Sequence, residues 1–168
     1  MSQQLTPQPL TRGAFAVFGE VIDTGSASGA DTMNDARFQR FDALAQADHE
    51  PDAAAIFSIA RCARASSLPY EITLLERHPL GSQAFIPLTI CEFTIVVAPA
   101  AERPDLSKLC AFTTNGHQGI NYYRGVWHMP LIAFASAQEF LVVDSNDSKP
   151  NCDEFELHES IWLQAVST

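Results

Sequence analysis

Short apolar runs, rich in Ile, Val, Phe and Thr and separated by turn-forming residues, make up most of the chain after residue 54. Runs of four to eight such residues between Gly, Pro, Asn or Asp are typical of β-strands. No stretch has the amphipathic periodicity of a long helix. The predicted strands are Ala55–Cys62, Ile72–His78, Gln83–Leu88, Glu92–Ala98, Lys108–Thr114, Leu131–Ser136, Glu139–Ser145 and Ser160–Val166.

The N-terminal third has weaker patterns. Thr11 is a suitable N-cap for one or two helical turns over Ala14–Phe18, which Gly19 would end. Small residues predict a loop at Gly25–Asn34, and alternation in Ala36–Leu44 predicts a half-exposed strand. Many short strands and few helical turns indicate an all-β fold, an antiparallel sandwich or barrel. Because no repeat or linker interrupts residues 1–168, we expect a single domain.

The composition is that of a globular protein, with 46% hydrophobic and 18% charged residues. The net charge of −10 argues against a nucleic-acid surface, because phosphate binding requires clustered Lys and Arg. No apolar stretch is long enough to span a membrane, and the N-terminus lacks the pattern of a secretory signal, so we expect a cytoplasmic protein. The four cysteines form no CxxC pair, which favours free thiols.

Two polar stretches interrupt the apolar strands. Glu76 and His78 alternate along one predicted strand and therefore share a face. A turn at Leu80–Ser82 then returns the chain, so that Gln83 can face the same space. Much later, His128 follows a second turn and begins another strand. If the sheet closes into a barrel, these four polar side chains converge at its mouth.

The spacing of these four residues matches the cupin pattern, H-x-H-x-x-x-x-E followed by G-x-x-H. Glu76 stands at the first His position and Gln83 at the Glu position, whereas His78 and His128 match in type. The resemblance implies a cupin-type, jelly-roll-like β-barrel. The four side chains can hold a divalent metal, although the neutral amide of Gln83 is a weaker ligand than a carboxylate. A histidine on a strand is more often structural, and the residues alone leave both interpretations open.

The stretches around these residues resemble the ureidoglycolate lyase family, from about Leu5 to the C-terminus. The most specific are LERHPLGSQAFIPL from Leu75, RPDLSKLCAFTTNGHQGINYYRGVWHMPL from Arg103 and DSNDSKPNCDE from Asp144. The resemblance implies a homodimeric enzyme, a carbon–nitrogen lyase. Such an enzyme splits (S)-ureidoglycolate into glyoxylate and urea during the degradation of allantoin and purines as a nitrogen source. It also suggests nickel as the divalent metal.

The implied reaction needs a cation for the substrate carboxylate, a base for the hydroxyl proton and an acid for the leaving urea. Imidazole titrates near neutral pH, so His78 or His128 is the expected base, and Glu76 is the acid or orients a histidine. Arginine binds carboxylates through two parallel hydrogen bonds. The expected substrate-binding residues are Arg124, the favoured clamp, and Gln83, Tyr123, Arg77 and Trp127. Alternation places Arg77 opposite Glu76, which favours an outer role, and Trp127 suits the core as well as a pocket wall.

Two positions depart from the family pattern, since Tyr123 and Met129 replace histidines that its members usually carry. Two other functions stay open. One is a different cupin enzyme, a metal-dependent isomerase or dioxygenase acting on a small oxo-acid, which a third histidine ligand would favour. The other is a module that binds a small acid without catalysis, against which stands the lack of an attached helix-turn-helix or basic segment.

Overall fold

The computed structural model describes residues 2–25 and 27–166, which form two curled β-sheets around a shared apolar interior. A seven-stranded sheet has the strand order β1-β14-β7-β12-β9-β10-β2. Its strands are β1 (Gln3–Leu5), β2 (Gln8–Pro9), β7 (Tyr70–Arg77), β9 (Thr94–Ala98), β10 (Cys110–Thr113), β12 (Trp127–His128) and β14 (Asp153–Leu163). Apart from the short parallel pairs β1–β14 and β2–β10, neighbouring strands of this sheet are antiparallel.

The five-stranded sheet has the order β3-β11-β8-β13-β6, and all its neighbours are antiparallel. A separate two-stranded hairpin, β4–β5, lies outside both sheets. The remaining strands are β3 (Gly19–Ile22), β4 (Asp31–Met33), β5 (Phe38–Arg40), β6 (Ala55–Arg61), β8 (Gln83–Pro87), β11 (Gly119–Tyr122) and β13 (Glu139–Ser145). The helices are α1 (Arg12–Phe15) and one 3-10 turn at Leu106–Lys108. The predicted all-β, cupin-type barrel is confirmed.

Alternation along the strands builds two apolar clusters on opposite faces of the seven-stranded sheet. In β9, Ile95 and Val97 point between the two sheets, whereas Val96 and Ala98 belong to the cluster on the outer face. The inner cluster joins both sheets, since Phe93 packs edge-on against Phe140 of β13 with ring centroids 5.2 Å apart. Because both faces of β9 are covered, its sequence reads as one continuous apolar run.

The helical turn forms where the sequence predicts a cap. The side chain of Thr11 accepts a hydrogen bond from the amide of Ala14 at 3.2 Å, and Phe15 is buried against the inner cluster. The helix ends at Phe15, earlier than the predicted Phe18. Gly19 follows where β3 passes so close to β11 that a Cβ atom would lie 2.0 Å from the carbonyl oxygen of Asn121.

The structure corrects two predicted strands. The segment Leu131–Ser136 is irregular, because its apolar side chains are buried against the clusters while its backbone joins no ladder. The predicted strand Ala36–Leu44 shrinks to β5, which pairs only with β4 from the predicted loop and is exposed throughout. Isolated hairpins of this kind bury too little apolar area to extend further. Within residues 2–25 and 27–166, no helix has the length and apolar character needed to cross a membrane.

Candidate active site

One end of the barrel interior is lined by polar side chains from both sheets. Strand register places Glu76 beside His128 on the seven-stranded sheet and Gln83 beside Tyr122 on the five-stranded sheet. His78 follows directly after β7, so the turn that contains it delivers a second imidazole to the same end. The side chains that meet here, which we call the polar layer, are Glu76, His78, Gln83, Tyr122, His128 and Asp144.

His128 is completely enclosed, with 1% of its surface exposed. Its Nδ1 lies 3.0 Å from the carbonyl oxygen of Val126, so Nδ1 carries the proton that this acceptor requires. Nε2 then faces Oε1 of Glu76 at 3.4 Å, without the geometry of a hydrogen bond. Burial lowers the pKa of His128, and this effect is larger than the opposing effect of Glu76. The lowered pKa favours the neutral form of the ring.

His78 is oriented in the same way by a second carbonyl. Its Nδ1 lies 2.6 Å from the carbonyl oxygen of Asn151, which leaves Nε2 as a buried acceptor without a partner in the described part of the chain. Asn151 is itself held by hydrogen bonds from its amide to Asp147 at 2.7 Å and to Ser145 at 3.2 Å. The DSNDSKPN segment after β13 therefore fixes the direction of the His78 ring.

Three residues bring together atoms that can bind a metal, and we call these atoms metal donors. One donor atom from each of Glu76, His78 and His128 lies within 4.8 Å of the other two. Because both Nδ1 atoms are hydrogen-bonded to backbone carbonyls, the Nε2 atoms are the ones that remain to bind a metal. Two imidazole nitrogens and a carboxylate oxygen suit divalent transition metals, and carbonyl acceptors on the opposite nitrogens are the usual support of such ligands. The chemistry of this donor set therefore fits a divalent metal, or a proton shared between Glu76 and His128.

Gln83 and Asp144 close the polar layer from the five-stranded sheet. Gln83 is buried, and its Oε1 has no hydrogen-bond partner among the residues described. Its amide group lies against Asp144, which follows from the register that pairs Val143 with Ala84. Burial raises the pKa of Asp144 above its ordinary value, although Gln83 and His78 act in the opposite direction. Oδ1 of Asp144, like Oε1 of Gln83, has no hydrogen-bond partner among the described residues.

Asp144 and Tyr122 were not among the site residues predicted from the sequence. Both carry a signal in the two-residue period of their strands: Phe140 and Val142 are buried in the inner cluster, so Asp144 faces the interior as well. The same period in β11 buries Ile120 and Tyr122 together. A carboxylate at the end of an apolar row is costly to bury unless it has partners, and this marks Asp144 as part of the site.

The Arg124 side chain is bound by two carboxylates of the loop that precedes β6. Its Nε and one terminal nitrogen each donate to Asp48 at 2.9 Å, and the other terminal nitrogen contacts Glu50. The guanidinium nitrogens that would bind a substrate carboxylate are therefore already engaged by Asp48 and Glu50. The arrangement ties this loop to the turn between β11 and β12.

Arg77 and Trp127 lie together on the outer face of the seven-stranded sheet. The Arg77 guanidinium bonds Asp153 at 2.8 Å and stacks over the Trp127 ring at 4.9 Å. Trp127 is 2% exposed and belongs to the outer cluster, with its indole nitrogen donating to the carbonyl of Ala101 at 3.0 Å. Alternation in β12 sends Trp127 away from the interior that His128 faces. Both residues therefore lie outside the polar layer.

Tyr123 also lies outside the polar layer. Its side chain is 42% exposed and borders a surface depression formed by Glu20 and the segment 46–49. The neighbouring tyrosine, Tyr122, is the one that enters the barrel, where it stacks on His128. A one-residue difference along a strand exchanges interior for exterior, so the two tyrosines have opposite surroundings.

A cavity of about 310 Å³ is lined by Glu76 together with apolar side chains of the inner cluster. Its walls come from the end of β6 and the loop that follows, from residues 131–133, and from Phe85 and Phe140. We call this space the entrance cavity. Arg61 and Arg64 also line this cavity. Neither was predicted from the sequence, because their proximity to Glu76 depends on how the loop after β6 folds.

The model of the family described as Ureidoglycolate lyase matches residues 2–164. The chain belongs to the ureidoglycolate lyase family. A ureidoglycolate lyase of Pseudomonas syringae pv. tomato is 48% identical over 159 residues, covering 93% of this chain and 91% of the relative. One of Burkholderia mallei is 46% identical over 159 residues (95% and 92%), and one of Pseudomonas putida is 49% identical over 150 residues (88% and 87%). The predicted family and enzyme class, a lyase, are confirmed.

The two departures from the pattern of the ureidoglycolate lyase family lie away from the polar layer. Tyr123 is at the surface, and Met129 is buried in the outer cluster, on the opposite face of the sheet from His128. Neither replacement removes a group from the convergence of Glu76, His78 and His128. Glu76, His78 and His128 therefore converge in this chain despite both replacements.

Proposed function

We propose that this protein cleaves (S)-ureidoglycolate to glyoxylate and urea, as a cytoplasmic enzyme of allantoin and purine degradation. The observation that carries the proposal is the convergence of Glu76, His78 and His128 inside a barrel of the ureidoglycolate lyase family. Relatives that carry the name of this activity match over most of their length. These similarities favour this function over a cupin isomerase, a dioxygenase or a non-catalytic binding module.

The reaction is an elimination in which atoms balance without water. The substrate carbon carries a carboxylate, a hydroxyl and the ureido nitrogen. A base removes the hydroxyl proton, the oxygen electrons form the carbonyl of glyoxylate, and the carbon–nitrogen bond breaks. The bonding pair passes to nitrogen, which takes up a proton and leaves as urea. A single proton taken from oxygen and returned to nitrogen therefore completes the cycle.

The polar layer has groups for these steps. In the metal-free protein, the Nε2 of His78 is placed to accept the hydroxyl proton, since the Nε2 of His128 faces Glu76. Glu76 and His128 together form a unit that can hold a proton for the leaving nitrogen. The unpaired Oε1 of Gln83 can accept a hydrogen bond from a ureido N–H, and Asp144 lies beside Gln83.

The same residues fit a divalent metal, and we include one in the proposal. Glu76, His78 and His128 would hold it, and Gln83, the fourth predicted ligand, presents its unpaired oxygen from the opposite sheet. Bound there, a divalent metal would polarise the hydroxyl of the substrate. Nickel, which the sequence resemblance suggests, is compatible with two imidazoles and a carboxylate.

An assay of the purified protein with (S)-ureidoglycolate tests the function. We expect stoichiometric release of glyoxylate and urea, and a loss of about 10²–10⁴-fold in kcat for His78→Asn and His128→Gln. The exposed His117→Asn variant is the control. Protein prepared with a chelator and checked by elemental analysis is assayed with and without Ni²⁺. Absence of glyoxylate under all conditions overturns the function, and full activity without metal overturns only the metal.

The predicted homodimer is also part of the proposal. The strand β6 lies at the edge of the five-stranded sheet, so within residues 2–25 and 27–166 no strand pairs with its outer backbone groups. Phe57 and Ile59 on this strand are 72% and 56% exposed. An exposed apolar edge strand is prone to pair with another chain, and a second copy of this chain would cover it.

Sedimentation at micromolar concentration tests the dimer. The wild-type protein should sediment as a dimer, whereas Phe57→Lys, which places a charge on the edge strand, should shift it to the monomer. Val17→Lys is the control, because Val17 is similarly exposed, at 66%, but lies after α1. A monomeric wild type, or a Phe57→Lys variant that stays dimeric, contradicts this interface.

A further inference from the structure

The entrance cavity poses an electrostatic problem for an anionic substrate. Glu76 lines the cavity as well as the polar layer, and the whole chain carries a net charge of −10. A substrate carboxylate that enters therefore needs a cation on the wall of the cavity.

The cavity has two arginines, and only one of them is available. Arg61 is paired with Glu139, with nitrogen–oxygen distances of 2.6 and 2.7 Å. Arg64 is exposed and has no ion-pair or hydrogen-bond partner among the described residues. Of the arginines in the signature stretches, Arg77 and Arg124 are bound to carboxylates elsewhere, and Arg103 lies over the ring of Phe155. Arg64 is therefore the uncompensated cation of the entrance.

The backbone around Arg64 is held in place although it belongs to a loop. The amide of Cys62 donates to the carbonyl of Gln138 at 2.8 Å, and the amide of Ala137 donates back to Cys62 at 2.9 Å. On the other side of Arg64, the amide of Ser66 donates to the carbonyl of Ala133 at 2.8 Å. Anchors on both sides fix the position of the Arg64 backbone at the mouth, and the long side chain reaches from there.

We infer that Arg64 binds the carboxylate of ureidoglycolate at the mouth of the entrance cavity and so determines the preference for an acidic substrate. The inference rests on the proposed function. The planar guanidinium donates two parallel hydrogen bonds to the carboxylate, and the hydroxyl and the ureido nitrogen on the adjacent carbon point inward toward Glu76 and the histidines. Arg64 is a binding residue, so its removal weakens substrate binding more than it slows the chemical step.

Steady-state kinetics and carboxylate binding test the assignment. We expect Arg64→Gln to raise KM for ureidoglycolate by about 10- to 100-fold with a smaller change in kcat, the range expected for losing a charge-assisted hydrogen-bond pair. Arg64→Lys, which keeps the charge but not the fork, should recover part of this loss. Arg37→Gln is the matched control, since Arg37 is also exposed and unpaired in the described chain but lies in the turn of the β4–β5 hairpin. Calorimetric titration with oxalate, a small dicarboxylate, measures binding without turnover.

The outcomes separate the two proposals. A wild type that releases no glyoxylate contradicts the proposed function, while weaker oxalate binding by Arg64→Gln still supports a carboxylate site at Arg64. An active wild type with an Arg64→Gln variant whose KM and oxalate affinity stay within about twofold of wild type overturns the assignment of Arg64. An equal loss in Arg37→Gln also overturns it, because the effect would then follow from net charge alone.

Discussion

The imidazole ring of His128 lies flat on the phenol ring of Tyr122, with ring centroids 4.2 Å apart and ring planes 16° from parallel. The two residues come from opposite sheets and are both buried. The stack sets the plane of the imidazole, and the carbonyl of Val126 sets which nitrogen carries the proton. Nε2 is thereby aimed at Glu76.

Removal of this stack should reduce activity even though Tyr122 performs no chemical step. We expect Tyr122→Leu to lower kcat at least about tenfold, because the His128 ring loses its support. Tyr122→Phe keeps the ring and should retain most of the activity. Kinetics are measured beside thermal unfolding of each variant. A folded Tyr122→Leu enzyme with wild-type kcat contradicts the positioning role.

The converging donors predict a metal affinity that depends on particular residues. Glu76→Gln and His78→Asn should each weaken the binding of Ni²⁺ or Zn²⁺ by at least about tenfold, since each removes one of three donors. Titration calorimetry on chelator-treated protein measures the affinity. His117→Asn leaves the donor set intact and should bind as the wild type does. Metal binding that is unchanged in both donor variants would place any bound metal elsewhere.

Asp144 should act through Gln83. We expect Asp144→Ala to reduce kcat/KM for ureidoglycolate by about tenfold, because Gln83 loses the carboxylate beside it. Asp144→Asn keeps an acceptor oxygen and should recover part of the loss, which a purely charge-based role would not allow. Asp52→Asn, at an exposed position, is the control. Equal kcat/KM in Asp144→Ala and wild type would remove Asp144 from the site.

The contact between Arg124 and Asp48 predicts a pH-dependent contribution to stability. Hydrogen bonding to Arg124 holds the pKa of Asp48 below its ordinary 3.8, despite a small opposing effect of burial. A folded-state pKa below the unfolded one stabilises the fold above pH 3.8, and this stabilisation is lost as the pH falls through the folded-state pKa. Asp48→Asn should therefore lower the free energy of unfolding by up to about 1 kcal/mol at pH 7, since the pair is largely exposed.

Urea unfolding at pH 7, at pH 5 and below pH 3.8 measures this difference. The gap between Asp48→Asn and wild type should be constant at the two higher values and should shrink at the lowest. Asp52→Asn, which has no ion-pair partner in the described chain, should show no such trend. A gap that widens in acid contradicts the assignment.

Two glycines of the N-terminal region should respond oppositely to alanine. At Gly19 an added Cβ would meet the backbone oxygen of Asn121 at 2.0 Å, so Gly19→Ala should cost at least about 3 kcal/mol by forcing β3 away from β11. At Gly13, inside α1, no atom of the described residues lies within 4 Å of the same added atom. Gly13→Ala should therefore stabilise the protein by about 0.5–1 kcal/mol. Urea unfolding of both variants tests the pair, and similar effects at the two sites would contradict it.

The strands and the central groups of the site could be predicted because their signals are local. The two-residue period places Glu76 and His78 on one face, and it also sends Arg77 and Trp127 to the other face. The strand prediction failed at Leu131–Ser136, where apolar composition reflects burial without a partner strand. Periodicity reports which side of a segment is buried, and it does not report whether a neighbouring strand is present.

The sequence by itself determined an all-β barrel of this family and the residues that supply its convergent donors, because side-chain alternation and short motifs are encoded within a few neighbouring positions. Only the tertiary structure decided which residues contact each other across the barrel. Arg124 meets Asp48 across 76 positions of the chain, and Arg64 faces the cavity of Glu76 because its loop is anchored to residues 133–138. Such pairings depend on strand register and on loop packing across the barrel, which no local pattern specifies.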